Sequence, residues 1–312
     1  MILVTGCTGF IGSHFCESLL QDKLKVLGVD NFDPYYDIRL KKANLSLLKR
    51  YNNFNFYSLD ITDRRELETL FSNYHFTTVV HLAARPGVSS SLRDPISYYQ
   101  INILGTINLL EQLKNKDAYF IFGSSSSVYG NSPHLPFCES EDSLPLSPYG
   151  ISKKTTEHYC SLYHTTYGLP ITILRFFTVY GPRVRPDMAI MKFTKAIDAN
   201  YEIVLYNRGL IKRDFTYIDD IVSGIRKTLE KKYPFEIFNL GNNKPIKIKT
   251  LVDMIEKKLG KKAKRIYERL PEGEMVNTWA EIEKAQKMLL WQPRITIEEG
   301  LDKFINWYKK NK

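Results

Sequence analysis

Tyr149 and Lys153 carry the side chains whose types and spacing could move a proton. They lie four residues apart, and positions i and i+4 of a helix share one face, so the phenol and the ammonium can enter one site. A lysine at that distance favours the phenolate and would make the tyrosine a base. Tyr308 and Lys312 have the same spacing. The spacing alone therefore also fits a tyrosine and a lysine on a solvated helix face.

Three glycines near the start of the chain could bind a phosphate. Gly6, Gly9 and Gly12 form a G-x-x-G-x-x-G pattern between an apolar segment at 2–5 and a helical periodicity over about 11–20. Glycines let the backbone turn tightly and approach a pyrophosphate, whose charge then lies at the helix N-terminus. The segment predicts dinucleotide binding, with a plain glycine turn as the alternative.

Asp30 ends the second predicted strand, 18 residues beyond Gly12. A carboxylate at this point accepts a hydrogen bond from a ribose 2′-hydroxyl and repels a 2′-phosphate. The sequence therefore favours NAD over NADP.

Strand and helix patterns alternate along the first 180 residues, as a doubly wound sheet requires. Ser124–Ser127 follow a predicted strand at its C-terminal end, where ligands bind in open α/β sheets. We predict an α/β fold, a Rossmann-type doubly wound parallel sheet with a smaller C-terminal α/β substrate lobe. The predicted domains are 1–180, which binds the cofactor and includes the Tyr/Lys helix, and 181–312, with segments that can interleave. The predicted helices are 11–20, 38–49, 64–71, 96–113, 149–167, 188–199, 221–229, 249–259, 281–289 and 297–309, and the predicted strands are 2–5, 25–30, 54–58, 78–82, 119–122, 171–176, 203–205 and 235–239.

The charge of the chain is unevenly distributed. The 312 residues contain 44 Lys+Arg and 34 Asp+Glu, a net charge of +10, and the whole surplus lies in residues 181–312. A basic C-terminal region suits an anionic ligand such as a diphosphate, or a lysine-rich solvated surface. Aromatic and basic residues do not interleave as in RNA-binding proteins, so we expect no nucleic-acid partner.

Composition also indicates the compartment. No apolar run approaches 18 residues, so we expect no membrane segment, and the strand-like start leaves no room for a signal peptide. The cysteines, Cys7, Cys16, Cys138 and Cys160, have no metal-binding spacing. We therefore predict reduced thiols, no metal site and a cytoplasmic protein.

The order of motifs resembles the extended short-chain dehydrogenase/reductases, in particular the NAD-dependent nucleotide-sugar epimerases and dehydratases. Within that group the chain looks most like the UDP-glucuronate 4-epimerases, and the resemblance covers essentially the whole chain. The motifs are the glycine loop, Asp30, Asp60-Ile61, residues 81–84, the serine run before 128–130, Tyr149 with Lys153, and residues 175–183 and 212–220.

The resemblance implies a role for each matching position. Ser125 and Tyr149 would be catalytic, with Lys153 both catalytic and bonded to the nicotinamide ribose. The residues that would contact the rest of NAD are Gly6, Gly9, Phe10, Ile11 and Gly12 at the pyrophosphate, Asp30 and Asn31 at the adenosine ribose, Asp60 and Ile61 at adenine, and Leu82, Ala83 and Ala84 at the nicotinamide.

The implied reaction is epimerisation at C4 of a UDP-sugar. Tyr149 would take the O4 proton while the C4 hydride passes to NAD, with Ser125 hydrogen-bonding O4. The 4-keto sugar would then rotate and take the hydride back on its other face. NAD is regenerated in each cycle, so we expect it to remain tightly bound.

Neighbouring positions select the sugar. The resembling dehydratases have an acid pair after the catalytic hydroxyl, whereas Ser126 and Ser127 stand here, so dehydration is not expected. Thr178 and Arg185 match the uronate-type epimerases. Hydroxyl donors could hold the carboxylate of a glucuronate, whose 4-keto form is a β-keto acid that loses CO₂ readily. Hydrogen bonding of these hydroxyls to the loop backbone is the alternative.

The UDP contacts implied by the resemblance are Tyr206 near uracil, Arg213 at the diphosphate, and Glu274 where the related proteins have Asp. Residues 207–209, Asn-Arg-Gly, replace the usual Gly-Asp-Gly, which leaves the uridine contacts open. Arg85 replaces a residue that is usually uncharged, and could be a substrate contact or part of the surface.

Three other functions stay open at this point. The first is a UDP-glucose or UDP-N-acetylglucosamine 4-epimerase, the second a UDP-glucuronate decarboxylase, and the third an NAD-binding regulatory protein without activity. The resemblance further implies a homodimer, formed through helices 96–113 and 149–167.

Overall fold

The computed structural model describes residues 1–312. Its centre is a seven-stranded sheet in which every strand pairs in parallel with its neighbours, in the order β11-β6-β5-β4-β1-β2-β3. The strands are Ile2–Thr5 (β1), Val26–Asp30 (β2), Phe54–Ser58 (β3), Thr78–His81 (β4), Tyr119–Ser125 (β5), Ile171–Phe176 (β6), Thr178–Tyr180 (β7), Glu202–Tyr206 (β8), Lys212–Arg213 (β9), Phe215–Tyr217 (β10), Phe235–Leu240 (β11), Ile246–Lys247 (β12) and Lys264–Glu268 (β13).

Helices cover the sheet, as parallel strands require because their connections must cross over. The α-helices are Phe10–Gln21 (α1), Ile38–Leu48 (α2), Arg64–Asn73 (α3), Val88–Arg93 (α4), Pro95–Tyr98 (α5), Gly105–Leu113 (α6), Pro148–Tyr167 (α7), Ala189–Asp198 (α8), Ile218–Lys231 (α9), Ile248–Leu259 (α10) and Ile297–Lys310 (α11).

Alternate strand residues enter two separate apolar cores. Val4 and Val80 belong to one buried cluster, whereas their neighbours Leu3 and Val79 belong to the other. Because successive side chains of a strand point to opposite faces, both faces of the sheet are buried. This confirms the predicted doubly wound arrangement and explains the apolar runs of the strands.

The helix α7, which carries the Tyr/Lys pair, begins and ends as its sequence indicates. Ser147 caps its N-terminus by accepting a hydrogen bond from the Gly150 amide at 3.2 Å, and Pro148 occupies the first turn. At the other end Gly168 has φ +68°, a left-handed conformation that glycine adopts at little cost. The position of the pair is thus fixed by local signals.

Most predicted elements are confirmed, and strands 54–58 and 171–176 coincide with β3 and β6. The single helix predicted over 96–113 is wrong, because a π-helical segment, Tyr99–Leu104, separates α5 from α6. Within it Asn102 binds both the amide and the carbonyl of Arg85, at 2.7 and 3.0 Å. This tie anchors the predicted loop 83–94, which itself contains α4.

The C-terminal region differs more from its prediction. The predicted helix 281–289 is wrong over its first half, since only Ala285–Leu289 form a helical segment, of π type. Strand β13 was not predicted; it is charged and mostly exposed, and it pairs with β8. Strand β11 pairs with β6 and completes the central sheet. None of the helices combines the length and apolarity needed to span a bilayer.

Candidate active site

A cleft of about 970 Å³ lies at the C-terminal ends of the parallel strands. Every residue predicted to act in catalysis or binding lines this one cleft. The predicted residues it gathers are Gly6, Gly9, Phe10, Ile11, Gly12, Asp30, Asn31, Asp60, Ile61, Leu82, Ala83, Ala84, Ser125, Ser126, Ser127, Tyr149, Lys153, Thr178, Arg185, Tyr206, Arg213 and Glu274.

The glycine loop between β1 and α1 has the form of an anion cradle. A Cβ on Gly12 would lie 2.1 Å from the Gly6 carbonyl oxygen, so only glycine lets the helix start so close to the loop. The α1 N-terminus has neither a capping side chain nor an acidic residue in its first turn. Its free amides are therefore available to a pyrophosphate, which the cradle fits.

Asp30 is buried at the end of β2 and held by its surroundings. Its carboxylate accepts hydrogen bonds from the amides of Thr8 at 3.2 Å and Phe32 at 2.9 Å. The ammonium of Lys41 lies 3.8 Å away. The position suits a ribose at the edge of the glycine loop.

Asn31 and Asp60 join two loops on the same side of the cleft. The Asn31 amide donates to the Asp60 carboxylate at 2.8 Å, and Thr62 donates to the same carboxylate through its amide and its hydroxyl. Partial burial raises the pKa of Asp60, but these hydrogen bonds outweigh it and lower the pKa overall. Asp60 is thus fixed in its charged form beside Ile61.

Tyr149 lies buried at the first turn of α7, with its ring 6.2 Å from that of Tyr98 in an edge-to-face contact. Burial raises the pKa of its phenol, against the Ser125 hydroxyl and the charge of Arg185, which both lower it. The expected lowering of this pKa by Lys153 is therefore wrong for the protein itself, because the loss of hydration outweighs the charges around the phenol.

Lys153 is 4% exposed. Its ammonium donates to the Gly123 carbonyl at 2.7 Å and lies 4.7 Å from the centre of the Phe122 ring. Burial lowers the pKa of Lys153 to about 7, against the Glu157 carboxylate, which raises it. A site with this pKa exchanges a proton readily near neutral pH.

The serine run places hydroxyls around Tyr149. Ser125 ends β5, donates to the Ser127 hydroxyl at 3.2 Å and accepts from the Ser127 amide at 3.1 Å. The Ser126 and Thr178 hydroxyls make no hydrogen bond within the protein, although both residues line the cleft. Their backbone-bonding alternative is therefore not what the structure shows.

Two arginines lie toward the C-terminal lobe. Arg185 forms a two-point ion pair with Asp187, with both nitrogen–oxygen distances 3.0 Å. Arg213 donates to the carbonyls of Lys212 and Val276 and lies 3.4 Å from the Glu274 carboxylate. Both guanidinium groups are held in place by the protein.

Sequence reasoning missed several residues around the cleft. Arg85 lines it and pairs with Asp94 at 3.1 Å, so it is not simply surface. The buried Glu157 lies four residues after Lys153 on the same helix face, a spacing that could have singled it out. Tyr35 and Asp187 contact each other from segments 152 residues apart, and no local pattern indicates such a pair.

A Rossmann-type sheet, a glycine loop after β1, and a Tyr/Lys helix facing the same cleft define an extended short-chain dehydrogenase/reductase. The family model described as GDP-mannose 4,6 dehydratase matches residues 3–304. The chain belongs to this family.

Curated relatives extend over the same length. The chain is 47% identical over 313 residues to the UDP-glucuronate 4-epimerase of Thermodesulfobacterium geofontis, covering 99% of this chain and 96% of the relative. It is 43% identical to UDP-glucuronate 4-epimerase 1 of Arabidopsis thaliana, covering 98% of this chain and 76% of that protein.

Solved structures agree with this grouping. The UDP-glucuronic acid 4-epimerase from Bacillus cereus, in complex with UDP-glucuronic acid and NAD, has a TM-score of 0.95 at 38% identity, covering 100% of this chain and 99% of that one. The UDP-glucose 4-epimerase of Thermotoga maritima, with UDP-glucose, has a TM-score of 0.92 at 32% identity, covering 99% of each chain.

Proposed function

We propose that this protein is an NAD-dependent UDP-sugar 4-epimerase that interconverts UDP-glucuronate and UDP-galacturonate. The relatives and structures of the preceding section support the reaction class and the cofactor. The observation that carries the choice of a uronate is the pair of unpartnered hydroxyls, Ser126 and Thr178, which line the Tyr149 cleft together with Arg185. Such a set suits a sugar carboxylate.

The cofactor fits the residues described. The glycine loop and the α1 N-terminus would hold the pyrophosphate, Asp30 and Asn31 the adenosine ribose, and Asp60 with Ile61 the adenine. Leu82, Ala83, Ala84 and Lys153 would flank the nicotinamide half. NAD, when bound, supplies the hydride acceptor for C4 and a positive ring near Tyr149.

Substituting Asp30 with Ser tests the cofactor preference. The substitution removes the charge that repels a 2′-phosphate and leaves Lys41 free to meet one. We expect the ratio of NADPH to NADH affinity to rise by roughly tenfold, about 1.4 kcal/mol, measured by cofactor fluorescence. Asp37→Asn is the control, because Asp37 caps α2 outside the cleft. An unchanged ratio in Asp30→Ser would remove Asp30 from cofactor selection.

The protein supplies the proton transfer. Tyr149 would accept the O4 proton, and the Ser125 hydroxyl would hold O4 during the transfer and return. Two charges act on the phenol in the direction of phenolate. Arg185 already lowers the pKa of Tyr149 against burial, and the nicotinamide ring adds to this when bound.

The substrate carboxylate needs to be held still. A 4-keto uronate is a β-keto acid, and it loses CO₂ when its carboxyl bond aligns with the ketone π system. Donors at Ser126, Thr178 and Arg185 would hold the carboxylate out of that alignment. Ser126 and Ser127 cannot serve as the acid and base of a dehydration near neutral pH, so the dehydratase reaction of the family's name is not proposed here.

The nucleotide would lie toward residues 181–312, which we propose to form mainly the nucleotide-sugar-binding lobe. Arg213 is placed to meet the diphosphate, and Glu274 orients it. Tyr206, at the end of β8, would lie beside the uracil. A diphosphate in this position would also draw on the positive charge that is concentrated in this part of the chain.

The decisive experiment is incubation of the purified protein with UDP-glucuronate, and separately with UDP-glucose, followed by NMR of the sugar signals. We expect galacturonate signals to appear from the first substrate. Turnover of UDP-glucose without turnover of the uronate would favour the neutral-sugar epimerase and contradict the proposal. Release of a UDP-pentose would identify a decarboxylase, and no binding or turnover of either would favour a regulatory role.

We also propose a cytoplasmic homodimer. Support for the compartment comes from four cysteines that all remain as free thiols. Support for the dimer comes from apolar side chains exposed on the helices predicted to form it: Ile96 is 64%, Tyr99 58%, Ile151 51% and Leu162 52% exposed. Contiguous apolar surface of this kind marks an interaction site.

The dimer has its own test. Ile151 and Leu162 are eleven residues apart on α7, three turns along one face. We expect the double substitution Ile151→Glu/Leu162→Glu to give a monomer by light scattering coupled to gel filtration, because two carboxylates would be buried against a partner. Leu210→Glu is the matched control, since Leu210 is 51% exposed away from these helices. A wild-type protein that elutes as a monomer would contradict the proposal.

A further inference from the structure

Three segments that are distant in sequence meet at the sugar end of the cleft. Tyr35 comes from the connection between β2 and α2, Ser90 from α4, and Asp187 from the connection between β7 and α8. The Tyr35 hydroxyl lies 3.3 Å from the Ser90 hydroxyl and donates to the Asp187 carboxylate, also at 3.3 Å. The phenol thus bridges the cofactor side and the substrate side of the cleft.

The backbone opposite Tyr35 leaves room for this bridge. Gly87 has φ +101°, and a Cβ at that position would lie 2.3 Å from the Tyr35 hydroxyl oxygen. Any other residue would clash with the phenol and would strain the backbone. The Tyr35 end is further fixed by its amide, which donates to the Asp33 carboxylate at 2.8 Å.

The bridge ends on Arg185. Asp187 engages one edge of the guanidinium, Nε and Nη2, at 3.0 Å each, and Nη2 also contacts the Met188 sulfur at 3.4 Å. The third nitrogen, Nη1, has no partner within the protein. The guanidinium carbon lies 6.0 Å from the centre of the Tyr35 ring.

The free edge lies near the reacting end of the cleft. The charge of Arg185 acts on Tyr149 strongly enough to lower the pKa of that phenol against burial. A guanidinium that is tied along one edge loses less rotational freedom when a carboxylate binds the other, so more of its interaction energy appears as affinity.

We propose that Tyr35 and Asp187 are positioning residues that hold Arg185 with its free edge toward the substrate carboxylate, and so determine the preference for a uronate over a neutral sugar. This inference rests on the proposed function, because it assigns the carboxylate to Arg185. Neither residue touches the reacting atoms; each acts through Arg185.

A structural role without selectivity makes a different prediction. If Tyr35 and Asp187 merely stabilised the loops, their loss would weaken binding of every UDP-sugar alike. If Asp187 instead competed with the substrate for Arg185, neutralising it would tighten uronate binding. The three possibilities therefore differ in the ratio of affinities rather than in activity.

The test compares Tyr35→Phe and Asp187→Asn with wild type by calorimetry, using protein saturated with NAD and titrated with UDP-glucuronate, UDP-glucose and UDP. We expect each variant to lose roughly three- to tenfold in affinity for UDP-glucuronate, the effect of one hydrogen bond or ion-pair contact, and to change less than twofold for UDP-glucose and UDP. Tyr201→Phe is the control, since Tyr201 is 71% exposed.

Equal losses for all three ligands, or tighter uronate binding by Asp187→Asn, would overturn the proposal. The affinities decide the positioning role by themselves. Turnover of UDP-glucuronate by the wild type decides the proposed reaction separately, so the two failures cannot be confused.

Discussion

Replacing Tyr149 by Phe is expected to lower kcat for UDP-glucuronate by roughly 10²- to 10⁴-fold, the usual contribution of a general acid–base group. The substitution removes only the hydroxyl that takes the O4 proton. The ring keeps its edge-to-face contact with Tyr98 and its place in the cleft. Affinities for NAD and UDP-glucuronate should therefore change little, which separates lost chemistry from lost binding.

The chain provides a matched control for this experiment. Tyr308 and Lys312 have the same i, i+4 spacing, but in the structure both side chains bind Asp198, at 3.1 and 3.0 Å, far from the cleft-lining residues. Tyr308→Phe should turn over substrate at the wild-type rate. A Tyr149→Phe variant with near-wild-type kcat would remove Tyr149 from the reaction, whatever the control does.

The two tyrosine–lysine pairs also illustrate what the sequence could predict. Their spacing is identical, and only the motifs around the first pair distinguished it. The structure agrees: Tyr149 and Lys153 enter a cleft beside the glycine loop, whereas the second pair belongs to α11 and the C-terminal end. Spacing predicts a shared helix face, but what that face meets depends on the whole fold.

The nucleotide-binding half was predictable because its signals are local. Buried parallel strands are short apolar runs, and the glycine loop, Ser147 and Gly168 mark their helices by backbone geometry alone. The π-helical segment at 99–104 was not predictable, since an apolar periodicity cannot register one additional residue in a turn. The exposed strand β13 carries no apolar pattern, so its pairing with β8 was also missed.

The residues that position the site depend on tertiary contacts. The Tyr35–Asp187 contact joins segments that a sequence pattern treats separately. The same holds for the pKa of Tyr149. Lys153 in the sequence suggested a lowered value, yet burial raises it, because hydration loss depends on all the atoms packed around the phenol.

A second large effect is expected from the buried ion pair behind Lys153. Glu157 and Arg175 are 5% and 2% exposed, and the guanidinium donates to both carboxylate oxygens, at 3.0 and 2.7 Å. Arg175 also donates to the Tyr129 hydroxyl at 2.9 Å, and the Ser124 hydroxyl donates to Glu157 at 2.6 Å. The pair thus connects α7, β6 and the end of β5.

Removing one charge should destabilise the protein strongly. Glu157→Gln leaves a buried guanidinium without its counter-charge, and Arg175→Met leaves a buried carboxylate. We expect each to lower the free energy of unfolding in urea by about 3–5 kcal/mol. As a control, Arg64→Met should change it by less than about 1 kcal/mol, because the Arg64–Glu68 pair is exposed on α3.

The double variant Glu157→Gln/Arg175→Met distinguishes a charge effect from a packing effect. With both charges gone, the glutamine still accepts from Ser124, and the Tyr129 hydroxyl keeps its bond to Asn239 at 2.7 Å. The double variant should therefore be more stable than the sum of the single effects predicts, by about 2 kcal/mol or more. Additive effects would mean that the two side chains stabilise the fold independently. Coupling would instead show that the charged pair is one unit, which fixes the strand end bearing Ser125 against the helix bearing Tyr149.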